Sequence, residues 1–146
     1  MKPDAFVRSL DDARIVAAIR EAEARSRAEI RVHIAEREVA DPRSEAAFVF
    51  ERLGMAETAE RNGVLLFVAP ESQSITVLGD RGAHERCGEA FWTQVVETVR
   101  EEFRAGRFTE GLVAGVRTLG DELARCFPRR PEETDRNELP NGVSRG

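Results

Sequence analysis

Apolar residues recur at every third or fourth position in four segments, which is the pattern of an amphipathic helix. These segments are residues 11–27, 44–53, 84–104 and 109–123. Ser44 and Thr109 carry hydroxyl side chains at the predicted starts of the second and fourth helices, where they can act as N-caps. The pattern therefore predicts four helices, and the short turn at residues 104–108 joins the last two into a hairpin.

Three further segments have the pattern of β-strands. Residues 29–35 alternate, with Ile30, Val32 and Ile34 on one side, which predicts a half-buried strand. Residues 64–69 are continuously apolar, as expected of a central strand that is covered on both faces. Residues 74–79 alternate again after a short connection, so they are predicted to pair antiparallel with the preceding strand.

The order of these elements determines the topology of the predicted sheet. The first strand, the crossover helix and the second strand form a right-handed βαβ unit, so these two strands run parallel. We therefore predict an α/β fold: a three-layer α/β/α sandwich with a small mixed sheet, in which a parallel βαβ unit is joined to an antiparallel hairpin and helices cover both faces. This domain is expected to span residues 1–128. Residues 129–146, rich in proline and charge, are expected to form a flexible tail.

The predicted strand directions bring polar residues to one edge of the sheet. The first two strands start at this edge and the antiparallel third strand ends there. Glu29, Arg61, Asn62 and Asp80 should therefore gather at this edge, and Glu23 lies on the helical turn that leads into it.

Composition and charge narrow the classes of partner. The chain has 146 residues and a formal net charge of -5, so it has no general attraction to nucleic acid or anionic lipid. No segment is long and apolar enough for a membrane span, and the first ten residues lack the apolar run of a signal peptide. We expect a cytoplasmic protein without membrane insertion, a monomer or weak dimer with a possible protein partner.

Several short motifs resemble those of the TPM domain family. They are residues 22–34 (AEARSRAEIRVHI), 53–65 (LGMAETAERNGVL), 78–82 (LGDRG), Phe91-Trp92, residues 103–112 (FRAGRFTEGL) and Phe127-Pro128. The resemblance implies an α/β/α sandwich and, in some members, a divalent cation, usually calcium, at an acidic site. An acid phosphatase activity is associated with plant members. Without a signal peptide or an anchoring helix, the chain resembles the cytosolic bacterial subgroup.

The acidic edge suggests a cation site. Hard cations such as calcium prefer carboxylate and carbonyl oxygen, so we hypothesise that Glu23, Glu29 and Asp80 hold a divalent cation, with Asn62 or backbone carbonyls completing the shell. The resemblance makes calcium the expected ion in preference to magnesium. The alternative is a salt-bridge network, in which Arg61, Arg81 or Arg27 neutralises the same acids and no ion is needed.

We therefore predict a calcium-binding module with its acidic site at this edge of the sheet, and two alternatives stay open: a metal-dependent acid phosphatase-like hydrolase and an ion-free protein–protein adaptor. No P-loop, GxGxxG, HExxH or CxxC motif occurs, so any hydrolase would depend on carboxylates and a metal. His33 and His84 could act as an acid or base, although a lone histidine is more often incidental.

The two cysteines are predicted to lie close together. In an antiparallel helical hairpin centred between Gly106 and Arg107, Cys87 and Cys126 occupy paired positions. They could form a disulfide, whereas two buried free thiols are the usual state in a reducing cytoplasm.

Overall fold

The computed structural model describes residues 6, 8–129 and 142–146. The elements in chain order are α1 (Asp12–Ala24), β1 (Glu29–Ile34), α2 (Pro42–Arg52), β2 (Gly63–Ala69), β3 (Ser74–Gly79), α3 (Arg81–Cys87), α4 (Glu89–Arg104), α5 (Phe108–Cys126) and β4 (Ser144–Arg145).

The strands form one mixed sheet in the order β3-β2-β1-β4. β1 pairs parallel with β2, from Glu29 opposite Gly63 to Ile34 opposite Val68, and β2 pairs antiparallel with β3. These directions and neighbours confirm the predicted sheet. The fourth strand was not predicted, because its two residues fall in the expected tail, where local pattern gives no signal for a strand. They pair parallel with His33 and Ile34 of β1. Residues 130–141 of that tail lie outside the described part.

Helices cover the sheet on both faces, as the predicted sandwich requires. On one face, apolar side chains such as Val32 and Leu66 pack with α1, α4 and α5 in the larger core. On the other face, Leu65 and Phe67 pack with α2 and Met55 in a smaller core. All seven residues of β2 are buried, which confirms its predicted central position.

β1 differs from the half-buried strand predicted from its alternation. All six of its residues are buried, and His33 is only 1% exposed. The polar face is covered because His33 stacks on Phe67, with ring centroids 5.5 Å apart, and its Nδ1 lies 3.0 Å from Ser144 Oγ. The prediction failed because β4 and the α2 layer close over side chains that the pattern places in solvent.

The predicted helix at residues 84–104 is two helices. α3 ends and α4 begins at Gly88, whose φ of +88° lies in the left-handed region that glycine adopts easily. The early start of α3 at Arg81 follows from Asp80, whose side chain accepts a hydrogen bond from the Arg81 backbone N–H.

Both predicted hydroxyl caps were wrong. The side chain of Asp41 caps α2 by accepting from Ser44 N, so Ser44 lies inside the first turn. Thr109 also lies inside its helix, α5, where Oγ1 accepts from Asp11 N at 3.0 Å and donates to Ser9 O. Thr109 therefore joins the start of α1 to α5 instead of capping its own helix.

Within the described residues, no helix combines the length and apolar character that crossing a bilayer requires.

Candidate functional site

The polar residues predicted to converge do lie along one edge of the sheet, which we call the polar rim (Arg27, Glu29, residues 60–62 and Asp80). Glu29 at the start of β1 is opposite Gly63 at the start of β2. Asp80 follows the end of β3, and its backbone N–H donates to Gly63 O at 2.8 Å. Three separate segments of the chain therefore meet at the rim.

An arginine neutralises the central carboxylate of the rim. Arg61 donates from Nε to Asp80 Oδ2 at 2.7 Å and from Nη2 to Oδ1 at 3.0 Å. The Asp80 side chain is 7% exposed, while that of Arg61 is 40% exposed. This hydrogen-bonded pairing raises the pKa of Arg61 above its usual value. Of the three arginines proposed as partners for the rim acids, Arg61 is the one paired with Asp80.

The backbone of Arg61 is as important to the site as its side chain. Its φ is +51°, which is uncommon for a residue with a Cβ. In this conformation its carbonyl oxygen accepts from Gly82 N at 2.8 Å and from Ala83 N at 3.2 Å, so the loop before β2 is tied to the start of α3. Strained backbone of this kind persists where the surrounding structure holds it, often at functional sites.

Gly82 has no positive φ and is needed because the backbone of another segment approaches it closely. A Cβ at this position would lie 2.2 Å from Glu60 O and 2.8 Å from Arg61 O. Because both neighbours are backbone atoms, no side-chain rotation can relieve the contact.

A second arginine–carboxylate pair lies beside the first. Arg27 donates from Nε and Nη2 to the two carboxylate oxygens of Glu60 at 2.8 and 2.9 Å. Asn62 Nδ2 donates to Arg27 O at 2.9 Å. Arg27 also contacts the end of the domain, because its N–H donates to Phe127 O and its Nη1 donates to Pro128 O. Sequence reasoning missed Glu60, whose signal was only its position directly before Arg61 and Asn62.

Glu23 accepts a backbone hydrogen bond from the start of β1. Its Oε2 accepts from the backbone N–H of Ile30 at 2.8 Å, and the residue is 9% exposed. The neighbouring Arg31 is also buried, which lowers its pKa, and the charge of Glu23 partly offsets this effect. Glu29 is buried to 5% exposure at the first position of β1.

A divalent cation such as calcium requires a cage of several oxygen ligands. Both oxygens of Asp80 are bonded to Arg61, and Oδ1 also accepts from Arg81 N. Over residues 6, 8–129 and 142–146, no three side chains among histidine, cysteine, aspartate and glutamate are grouped so as to hold a metal ion. Calcium binding by Glu23, Glu29, Asp80 and Asn62 therefore stays a prediction.

The two histidines have structural partners. Burial and the nearby charge of Arg52 lower the pKa of His33, which keeps its ring neutral at physiological pH. The Nδ1 atom of His84 accepts from Trp92 Nε1 at 3.3 Å, which joins α3 to α4.

The cysteines lie close together, as the register of the helical hairpin predicted. Cys87 Sγ donates to Cys126 Sγ at 2.9 Å, and both residues are free thiols of intermediate burial. Burial and the hydrogen bond with Cys126 raise the pKa of Cys87. Nearby, the Arg86 guanidinium lies over the Phe127 ring, 4.6 Å from its centroid, and its Nη1 donates to Cys126 O at 3.3 Å, so several contacts attach α3 to the end of α5.

Comparison with known proteins identifies related folds. A family model described as the TPM domain matches residues 3–122, a range that includes the whole polar rim. Among solved structures, the chain is similar to the NMR structure of BA42 protein from the psychrophilic bacterium Bizionia argentinensis. The two chains are 36% identical with a TM-score of 0.85, over 94% of this chain and 96% of that one. No curated protein matches the chain significantly.

Proposed function

Since the chain belongs to the TPM domain family, we propose that it is a protein-binding domain of this fold, in which arginines and not a metal ion neutralise the acids of the polar rim. This corresponds to the ion-free adaptor among the three functions left open by the sequence.

The observation that supports this proposal is the bidentate pair between Arg61 and Asp80. Ion capture and carboxylate catalysis both need an oxygen that is free to meet the ion or the reacting atom. In Asp80 both oxygens already accept from a guanidinium, which matches a carboxylate in charge and in geometry. The pair of Arg27 with Glu60 repeats the arrangement one strand away.

Calcium titration by calorimetry tests the ion-free rim directly. We expect no heat of calcium binding from wild type or from Asp80→Ala. Saturable binding to wild type that is lost in Asp80→Ala would refute the proposal and support the calcium module. Arg61→Gln is the informative third protein, because it removes the guanidinium that pairs with the Asp80 side chain. Calcium binding by this variant and not by wild type would support the proposal, since it would show that the Arg61 guanidinium occupies the position next to Asp80 that a cation would otherwise take.

Two further measurements separate the adaptor from the phosphatase. Hydrolysis of a chromogenic phosphate monoester, assayed with calcium or magnesium, is expected to stay at the buffer rate. Turnover that disappears in Asp80→Ala would overturn the proposal. Chemical cross-linking in lysate followed by mass spectrometry should identify a reproducible protein partner, and a Gly82→Ala variant, in which the rim must shift, shows whether the contact depends on the rim. Failure to recover any partner above an unrelated control domain would count against the adaptor.

A further inference from the structure

β3 is an edge strand with one side of its backbone facing outward. Asp80 N donates to Gly63 O, so Asp80 forms a hydrogen-bonded pair with the start of β2. Hydrogen-bonded pairs alternate along an antiparallel ladder, so the backbone groups of Ser74, Thr76 and Leu78 also point towards β2. The N–H and C=O groups of Ile75, Val77 and Gly79 therefore point away from β2. In the described part of the chain, no strand pairs with that side, whereas the opposite edge beside β1 carries β4.

The edge lacks the features that usually prevent a strand from pairing with another chain. Edge strands are commonly protected by charged side chains, proline, a bulge or a very short length. β3 has six residues, SITVLG, with neither charge nor proline, and it pairs in continuous register with β2. Five of its residues are partly exposed, and Val77 between them is buried at 4% exposure. The edge can therefore accept an extended segment.

Two cavities adjoin the edge, and arginines line both. One has a volume of about 300 Å³ and is lined by Ile75, Gln73 and three residues of α4: Arg100, Phe103 and Arg104. The second, of about 120 Å³, extends along Ile75 to Val77, with Arg43 and Glu89 among its lining residues. Each cavity provides space beside the strand for a side chain of a bound segment.

The charge of the lining indicates the chemistry of the partner. Arg43, Arg100 and Arg104 line the two cavities with Glu89 as the acidic residue among their lining, although the whole chain has a formal net charge of -5. Arg100 is paired with the exposed Glu97 at 2.6 Å, and such an exposed pair exchanges partners at little cost. A local basic surface on an acidic protein favours an acidic segment over a second copy of the chain.

We propose that the β3 edge binds an extended acidic segment of a partner protein by strand addition. This inference rests on the proposed protein-binding function and names the surface and the partner chemistry. The segment pairs its backbone with Ile75, Val77 and Gly79, and one of its carboxylates enters the cavity of Arg100 and Arg104. Strand addition of this kind takes affinity from backbone hydrogen bonds and specificity from the pockets for alternate side chains.

The test uses the full chain and a short fluorescein-labelled peptide that alternates glutamate with valine. Saturable binding is expected by fluorescence anisotropy, with amide shifts in NMR spectra concentrated at Ile75, Val77 and Gly79. A peptide with lysine in place of glutamate should bind about tenfold more weakly. Arg104→Glu should weaken binding by a similar factor, while Arg20→Glu, an equal charge change on the exposed surface of α1, should not.

A second variant tests the backbone contact. Ile75→Pro removes an N–H that points away from β2, so it should abolish binding while the melting temperature confirms that the sheet is retained. Binding that survives in both Ile75→Pro and Arg104→Glu, or no binding by wild type, would overturn the proposal. Dimerisation in sedimentation equilibrium that Ile75→Pro abolishes, without peptide binding, would overturn it in favour of a second copy. The calcium and phosphatase assays do not involve this edge. If the strand-addition proposal fails, the proposal of an ion-free rim is therefore unaffected.

Discussion

Oxidation of the two cysteines should join α3 covalently to the end of α5. The Sγ atoms of Cys87 and Cys126 are 2.9 Å apart as free thiols. A disulfide needs them at about 2.05 Å, so closure requires a movement of about 0.9 Å. Because burial raises the pKa of Cys87, this thiol stays protonated near neutral pH, and we expect oxidation to be faster at alkaline pH, where a thiolate forms.

The size of the effect follows from the loop that the bond closes. The two residues are 39 positions apart. In the chain-entropy account, a loop of that length stabilises the fold by about 4 kcal/mol through restriction of the unfolded chain. The movement needed for closure reduces this gain, so about 2 to 4 kcal/mol is expected. For a chain of this size, that corresponds to a rise in melting temperature of about 5 to 10 °C.

The assay treats the protein with diamide and measures its mass and melting temperature before and after. Wild type should lose the mass of two hydrogen atoms and melt at a higher temperature, and a reducing agent should reverse both changes. Cys126→Ser, which cannot form the bond, should show neither. A wild-type protein that did not form the disulfide, or a disulfide form that melted at or below the temperature of the reduced form, would contradict this prediction.

Three more predictions concern the core and the rim. Because the pKa of His33 is lowered in the folded protein, the unfolded chain takes up a proton more readily, and the free energy of unfolding should fall between about pH 7 and pH 5. Urea unfolding at these two pH values should show a smaller fall in the His33→Gln variant than in wild type. Gly82→Ala should cost about 2 kcal/mol because its Cβ would meet Glu60 O, whereas Gly142→Ala, with no atom within 4 Å, should leave the melting temperature unchanged. Asp80→Ser keeps a cap for α3 that Asp80→Ala lacks, so urea unfolding should find the serine variant more stable by about 1 kcal/mol; equal stabilities would contradict the capping role.

The partners of the rim acids could not be chosen from the sequence. Arg27, Arg61 and Arg81 are all near Asp80 or Glu29 in the predicted topology, and long flexible side chains allow many pairings. In the structure Arg61 pairs with Asp80, and the same residue has a positive φ and a carbonyl that accepts from the start of α3. That conformation depends on contacts between segments and has no local sequence signature.

Periodicity and connectivity were enough to predict several relations in the fold. Alternation and apolar runs located β1 to β3, the crossover helix made the first two parallel, and these directions brought Glu29 and Asp80 to one edge. The register of a helical hairpin likewise placed Cys87 near Cys126. These relations survive because they depend on repeating geometry that is the same in every helix and strand.

Relations between segments that share no repeat depend on three-dimensional packing and could not be predicted. Ser144 and Arg145 become a strand only because β1 offers a free edge to them. His33 is buried by neighbours that its own alternation cannot reveal. The neutralisation of Asp80 by an arginine, and the open arginine-lined edge of β3, depend on how distant side chains pack in three dimensions.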